Sequence, residues 1–302
     1  MDLSIVIVNW NTRDLLRDCL ASVYAGLGTL QAEVWVVDNG STDGSPAMLA
    51  EEFPRVRLIA NPDNRGFAAA NNQALSRASG RYVLLLNTDT LVHGSVLPDT
   101  VAWMDDHPGA AVLGPRILNA DGTLQSSATA FPSLYRLARQ TLGLHKHEAP
   151  NCGQTRLHRA EVISGCAMVV RRRAMALVGL LDEAFFFYGE ETDWCRRFTR
   201  AGWDVVFVPV GEITHFGSGS VRRLNHRRDL MLTEGTVRLH AKHSGPMGAL
   251  ACYLLLAVFN ASRAAGWGAL ALLHRPGAAD RARHFRGVVA GYASAWPKAK
   301  RA

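Results

Sequence analysis

An open, mostly parallel α/β sheet flanked by helices is the fold class this sequence predicts, and three observations predict it. Short, continuously apolar, β-branched runs recur along the first 115 residues, which suits strands buried on both faces. Each run is followed by a stretch with helical spacing, the alternation that builds a parallel sheet. Clusters of Asn, Asp, Ser and Gly fall at the ends of the apolar runs, where ligands sit in sheets of this kind.

Residues 3–8 form the first predicted strand. Residues 14–25 follow with Leu15, Leu16, Cys19, Leu20 and Val23 at helical spacing. The second strand is 33–37, and Ser45-Pro46 then opens a helix, as an N-cap with proline in the first turn. Residues 56–60 are a third strand, 66–79 a helix, 82–86 a fourth strand, 97–107 a helix and 110–113 a strand. Residues 126–160 are irregular and rich in His and Arg, so loop and short helix are expected. Beyond them, 162–170 reads as a strand, 172–178 as a short helix, 185–188 as an aromatic loop, 191–201 as a helix, 205–208 as a strand and 225–242 as a helix. Residues 247–259 are strongly apolar but too short to span a bilayer uninterrupted. They read either as a buried helix pair or oligomer contact, or as a helix lying in a membrane interface. The latter is favoured by the nearby Arg275, Arg281, Arg283, Arg286, Lys298, Lys300 and Arg301. The predicted division is a domain over 1–220 and a basic, helical, membrane-associated extension over 221–302.

The apolar share of 48% is that of a globular chain rather than a disordered one. A net charge of +7 favours phosphates or anionic lipid. No nucleic-acid partner is expected, because the basic residues gather late in the chain with no recognised motif. The cysteine count is 5, odd and without a CxxC pair, which points to a reducing, cytoplasmic compartment. The N-terminal run lacks a basic segment and a cleavage site, so no signal peptide is expected.

Asp38, at the end of the second strand, can accept hydrogen bonds from a base or ribose; the loop 38–45 can equally be a turn with a helix cap. Asp89, after the fourth strand, can hold Mg²⁺ or Mn²⁺ while a diphosphate supplies further ligands, or simply close a turn. Glu190, Glu191 and Asp193 stand at a helix start after the aromatic run 185–188. Three acids exceed what capping requires, and an aromatic platform beside a carboxylate suits a sugar whose hydroxyl must be deprotonated. Positions 190 and 193 share a helix face, whereas 191 points elsewhere. His215 precedes a Gly/Ser loop and then Arg222, Arg223, Arg227 and Arg228, a pattern for metal and phosphate.

In this order the motifs resemble glycosyltransferase family 2, within it the rhamnosyltransferase-like group. The stretches that carry the resemblance are Ser4–Asn11, Val37–Ser45, Asn64-Arg65-Gly66-Phe67 with Asn71-Asn72, Leu84–Thr90, Asn119-Ala120-Asp121-Gly122, Ser164-Gly165, Asp182–Phe186, Glu190–Trp194, and His215 with Gly217 and Ser220. The resemblance implies a GT-A fold over 1–220, with a nucleotide-binding half to about residue 115 and an acceptor half after it. It implies a divalent metal (Mg²⁺ or Mn²⁺) on Asp89 and His215, and single-displacement inversion. The nucleotide would be bound by Asn9, Asn11, Asp38, Asn39, Ser41, Asn64, Arg65, Asn71 and Asn87, and the diphosphate by Arg222 and Arg223. Phe187, Tyr188, Glu190 and Trp194 would meet the acceptor, with Glu191 the base and Asp193 the alternative base. Two departures from the family pattern stand out. Asn87 replaces the first Asp of the DxD-like motif, and Glu190-Glu191 replaces the Glu-Asp pair. The expected donor is dTDP-rhamnose, then a UDP-sugar; the expected acceptor is a glycan or lipid-linked hydroxyl in cell-envelope polysaccharide synthesis, reached from the cytoplasmic face of the membrane. Two other classes compete with this one. A sugar nucleotidyltransferase needs a basic, glycine-rich loop near the first strand, which 9–12 is not. A non-catalytic sugar-binding membrane protein has no use for Asp89, Glu191 and His215 together.

Overall fold

The computed structural model describes residues 1–144, 155–217 and 225–297. The chain starts as the sequence predicts, with β1 (Leu3–Asn9), α1 (Arg13–Gly26), β2 (Ala32–Asn39), α2 (Ser45–Glu52), β3 (Arg57–Asn61), α3 (Phe67–Leu75) and β4 (Tyr82–Asn87). A short β5 (Thr90–His93), α4 (Val96–Asp106) and β6 (Ala110–Gly114) follow. The irregular region contains β7 (Ile117–Leu118), β8 (Leu124–Gln125), β9 (Ala128–Thr129) and α5 (Leu134–Thr141). Next come β10 (His158–Arg159), β11 (Val162–Ile163), β12 (Ala167–Arg171), α6 (Arg172–Val178), α7 (Glu190–Arg200), β13 (Asp204–Phe207) and β14 (Glu212–His215). The chain closes with α8 (His226–Leu272) and α9 (Ala278–Gly291). The single strand expected over 162–170 is two strands, since Ser164-Gly165 lets β11 leave for β9 while β12 joins the main sheet.

The main sheet has eight strands in the order β10-β13-β6-β12-β4-β1-β2-β3. β1, β2, β3 and β4 run parallel, and β12 runs antiparallel between β4 and β6. Alternate residues feed two cores. Ile5, Ile7, Leu84 and Leu86 meet Leu16, Leu20 and Val23 of α1 and Val101 and Met104 of α4. Val6, Val83 and Leu85 meet Ala70 and Ala74 of α3 and Trp194 and Phe198 of α7. Both faces are dry, which is why these strands are apolar throughout; each fully buried large side chain contributes about 1.5–3 kcal/mol.

A second sheet, which no sequence pattern predicts, has the order β5-β14-β7-β8. The motif Asn119-Ala120-Asp121-Gly122 is its hairpin turn between β7 and β8: Gly122 has φ of 79°, and Asn119 N–H donates to Thr123 O at 2.8 Å.

The described residues separate into two compact units: 1–131 with 155–186 and 190–217, and 132–144 with 187–189 and 225–297. Within the second unit, Leu137 of α5 packs on Val237, Ala249 and Cys252 of α8. Gly235 is required there, because a Cβ would lie 2.2 Å from the Tyr188 carbonyl oxygen. The tyrosines Tyr253 and Tyr292 each donate a hydroxyl to the other's carbonyl, at 3.3 and 2.7 Å. α8 is broken at Gly245 (φ 75°), next to Pro246, a pair that ends one helical segment and starts another. Among the described residues α8 alone is long and apolar enough to cross a membrane by length and composition, and little of its apolar stretch is buried.

Candidate active site

The polar loops at the carboxyl ends of β1, β2 and β4 come together through side-chain hydrogen bonds. Asn9 donates from Nδ2 to Asp38 Oδ1 at 2.8 Å and to Ser41 Oγ at 3.1 Å. Asp38 Oδ2 accepts from Ser41 N–H at 2.9 Å, and Ser41 Oγ accepts from Asn11 N–H at 2.9 Å. Asn11, held at φ 54°, accepts from Thr42 N–H at 2.8 Å. Asp38 is thus nearly enclosed and braces the loop 38–45 with both oxygens; each oxygen keeps a second lone pair for a ligand. Trp10, between the two asparagines, is 49% exposed. Asn39 donates to Asn64 Oδ1 and to Gly66 O, both at 3.3 Å, and Asn64 also accepts from Gly66 N–H. Arg65 is exposed beside Asp63.

The parallel ladder between β1 and β4 pairs Val8 with Asn87, so Asn87 and Asp89 emerge beside this loop. Residue 215 reaches them across 126 positions of sequence because β14 pairs antiparallel with β5, His215 opposite Thr90. Phe216 N–H donates to Asp89 O at 2.9 Å. His215 Nε2 then lies 3.3 Å from Asp89 Oδ1 and 3.3 Å from Asn87 Nδ2. His215 Nδ1 lies 3.0 Å from Gln125 Oε1, a residue that sequence reasoning misses. Its only forerunner in sequence is the hairpin turn before it.

One carboxylate oxygen and one imidazole nitrogen suit Mn²⁺ or Mg²⁺. Among the described residues no group of three or more His, Cys, Asp or Glu is placed to hold a metal. Asp89 and His215 would fit a cation whose remaining ligands were a diphosphate and water.

Glu191 stands beside Gly165, next in sequence to Cys166, and the Cys166 carbonyl accepts from Asn87 N–H at 2.9 Å. A Cβ built on Gly165 would touch the Phe67 ring at 3.5 Å and Glu191 Cβ at 3.9 Å. The Phe67 N–H donates to Phe186 O at 2.8 Å. This ties the Asn64–Phe67 motif to the segment that leads into α7. Burial pushes the Cys166 thiol up to about 11, and the charges of both Asp89 and Glu191 push in the same direction.

The helix face splits the three acids as their spacing requires. Glu190 and Asp193 are enclosed and Glu191 is half-buried. Burial, then the charge of Glu191, pushes the Glu190 carboxyl well above the ordinary carboxylate range. Its Oε2 has no hydrogen-bond partner among the described residues.

Several of the expected site residues are enclosed. Asp193 accepts from Arg197 Nε at 2.8 Å, and Arg197 clamps the carbonyls of Val178 and Leu180. It is a strut with no exposed surface. Trp194 is fully buried, its indole N–H donating to Gly179 O at 2.8 Å, so it offers no acceptor surface. Glu190, enclosed likewise, presents no carboxylate to an acceptor. Asn71 is 1% exposed and donates to Phe67 O one turn back. In the aromatic run, Phe185 is core and Phe186 covers Gly66. Phe187 and Tyr188, edge to face at 4.4 Å, belong to the second unit. Arg222 and Arg223 lie outside the described residues.

The model of glycosyl transferase family 2 matches residues 4–176. An N-acetylglucosaminyl-diphospho-decaprenol L-rhamnosyltransferase of Mycobacterium tuberculosis is 31% identical over 241 residues, which is 73% of this chain and 78% of that one. Among solved structures, the chain is similar to the mannosyltransferase PcManGT of Pyrobaculum calidifontis in complex with GDP-Man and Mn²⁺. That similarity has TM-score 0.61 and 18% identity, over 97% of this chain and 86% of that one. It is also similar to GalNAc-T7 with UDP, GalNAc and Mn²⁺, with TM-score 0.59 and 17% identity; 80% of this chain is covered but only 47% of that longer one. These structures share the GT-A fold. With the family match extending over more than half of the sequence, the chain belongs to glycosyl transferase family 2 and is a glycosyltransferase.

Proposed function

We propose that this glycosyltransferase is an inverting, divalent-metal-dependent enzyme. It moves L-rhamnose from dTDP-rhamnose to a hydroxyl of a lipid-linked glycan acceptor, at the cytoplasmic face of an anionic membrane, in cell-envelope polysaccharide synthesis. The observation that supports this reading is the pairing of Asp89 with His215 at 3.3 Å, with the half-buried Glu191 beside Gly165. The rhamnose and the lipid-linked acceptor rest on the mycobacterial relative alone.

The nucleoside is held by the loop that Asn9, Asn11, Asp38, Asn39 and Ser41 brace, with Trp10 offering a ring to the base. Asn64 and Arg65 border it. The acceptor hydroxyl attacks the anomeric carbon from the face opposite the diphosphate. Glu191 takes the hydroxyl proton as the new C–O bond forms, while the electrons of the breaking C–O bond pass to the diphosphate. General-base assistance of this kind contributes about 10²–10⁴ in rate. Asp89 and His215 would hold Mn²⁺ or Mg²⁺, which would neutralise charge on the leaving diphosphate.

A donor panel checks the substrate. Turnover is expected with dTDP-rhamnose and Mn²⁺, and the product's anomeric configuration, read by NMR, should be opposite to the donor's. Turnover with a UDP-hexose and none with dTDP-rhamnose removes the rhamnose assignment; retention at the anomeric carbon removes the role of Glu191 as a base in a single displacement.

Membrane attachment is assigned to the second segment of α8. Met247, Leu250, Leu254 and Val258 recur every three or four residues, so they share one helical face. All four are exposed, Met247 at 77%. The opposite face, with Ala249 and Cys252, is core. This divides the two sequence readings between two sides of one helix. Arg275, Arg281 and Arg283 follow, and Arg263 and Arg281 stack on Phe259 and Trp267. Cosedimentation with anionic phospholipid vesicles is expected for the intact protein and at least about tenfold weaker for Leu250→Glu/Leu254→Glu, since two apolar side chains contribute roughly 3 kcal/mol when buried. Wild-type protein that ignores such vesicles excludes the attachment.

A further inference from the structure

His215 is a metal ligand only if its Nε2 carries no proton, and nothing in the local sequence of a histidine decides which ring nitrogen is bare. That choice is set by what the other nitrogen meets. In this structure both nitrogens meet an amide. Gln125 turns its oxygen to Nδ1 at 3.0 Å, and a carbonyl oxygen accepts only, so the proton belongs on Nδ1. Asn87 turns its nitrogen to Nε2 at 3.3 Å, and an amide nitrogen donates only, so Nε2 must be the lone-pair side. Two amides from different strands give the same tautomer.

The consequence lies on the Asp89 side. The bare Nε2 is 3.3 Å from Asp89 Oδ1. An imidazole lone pair and a carboxylate oxygen at that distance repel unless something positive joins them. We infer that Gln125 is a positioning residue: it pins the proton of His215 to Nδ1 and so keeps Nε2 bare toward Asp89 for a divalent cation. This rests on the metal reading of the site and adds to it a residue outside the ligand set. The β7–β8 hairpin acquires a function by the same step, since Gln125 is its last paired residue, opposite Ile117. Asn87 acquires one too: in place of an acid, it supplies a donor that only the bare nitrogen can accept.

The test has one readout that needs no metal. Nitrogen NMR of histidine-labelled protein, with the His215 signals assigned through His215→Ala, should show a protonated Nδ1 and a bare Nε2 in wild type. Gln125→Leu should move the proton toward Nε2, and Gln125→Glu, which keeps an acceptor oxygen, should not. Mn²⁺ affinity, measured by electron paramagnetic resonance with a saturating nucleoside diphosphate, should fall about 10–100-fold in Gln125→Leu and recover in Gln125→Glu. A protonated Nε2 in wild type overturns the inference without any variant having to fold. So does a Gln125→Leu protein that binds Mn²⁺ like wild type while His215→Ala does not; that result leaves the metal reading standing. Wild-type affinity in His215→Ala removes the metal reading itself, and the inference with it.

Discussion

Glu191→Gln is expected to lower the transfer rate at least about a hundredfold while leaving affinity for the nucleoside-diphosphate sugar within about twofold. A base acts on the acceptor's proton in the transition state and contributes nothing to donor binding. The substitution keeps the shape of the side chain beside Gly165 and Phe67 and removes only basicity. Its two neighbours supply controls of opposite kind. Asp193→Asn weakens a buried ion pair that holds Arg197 against the carbonyls of Val178 and Leu180. It should cost on the order of 2 kcal/mol of stability, with turnover per folded molecule largely kept. Glu190→Gln mimics the protonated form that burial and the charge of Glu191 favour, so its turnover should stay within about tenfold of wild type, outside the range of a lost base. A carboxyl whose pKa is raised by folding stabilises the fold through its protonated state. That contribution is complete at acid pH and is lost as pH rises through the raised value. Thermal denaturation from acid to alkaline pH should therefore show a loss in wild type that Glu190→Gln lacks. Active Glu191→Gln beside an inactive Asp193→Asn with intact donor binding would falsify the assignment of the base.

How much of this is legible in the sequence depends on whether the signal is local. β1, β2 and β4 are legible because a strand buried on both faces is apolar at every position, and the polar residues that interrupt it mark where the ligand side begins. The separation of Glu191 from Glu190 and Asp193 is legible because 100° per residue is a property of any α-helix. The same arithmetic places Trp194 four residues after Glu190, on the buried stripe with Phe198. The aromatic run before it suggests an acceptor platform instead, and the burial of Trp194 follows from the helical rule that separates the acids. The sheet β5-β14-β7-β8 is not legible at all. Its strands have two to four residues, too few for a period, and the pairing of Thr90 with His215 is a long-range event with no local signature. Gln125 depends on that sheet, so a lone glutamine in an irregular stretch carries no sign of its partner.

Asp89→Asn should abolish Mn²⁺-dependent binding of a nucleoside diphosphate and lower turnover on the order of a thousandfold, equivalent to roughly 4 kcal/mol of lost charge stabilisation. The substitution is close to isosteric, and the structural duties of residue 89 are carried by atoms it keeps: the backbone oxygen accepts from Phe216 N–H, and the β5–β14 pairing begins one residue later, at Thr90. What changes is the charge. With Asn87 neutral and, among the described residues, no group of three or more His, Cys, Asp or Glu placed to hold a metal, the proposed site rests on the carboxylate of Asp89, whereas a site with two acids would tolerate the loss of either. The dependence on a single carboxylate also makes the effect separable from unfolding. Thermal denaturation without metal or nucleotide should match wild type within about 3 °C, a shift that corresponds to roughly 1 kcal/mol. The stabilisation that Mn²⁺ and a nucleoside diphosphate together give wild type should be missing from Asp89→Asn. In wild type, a chelator should remove that stabilisation and the turnover together, and added Mn²⁺ should restore both; in the variant neither treatment should change anything. Full turnover of wild type in chelator, or of Asp89→Asn in Mn²⁺, excludes Asp89 as a metal ligand.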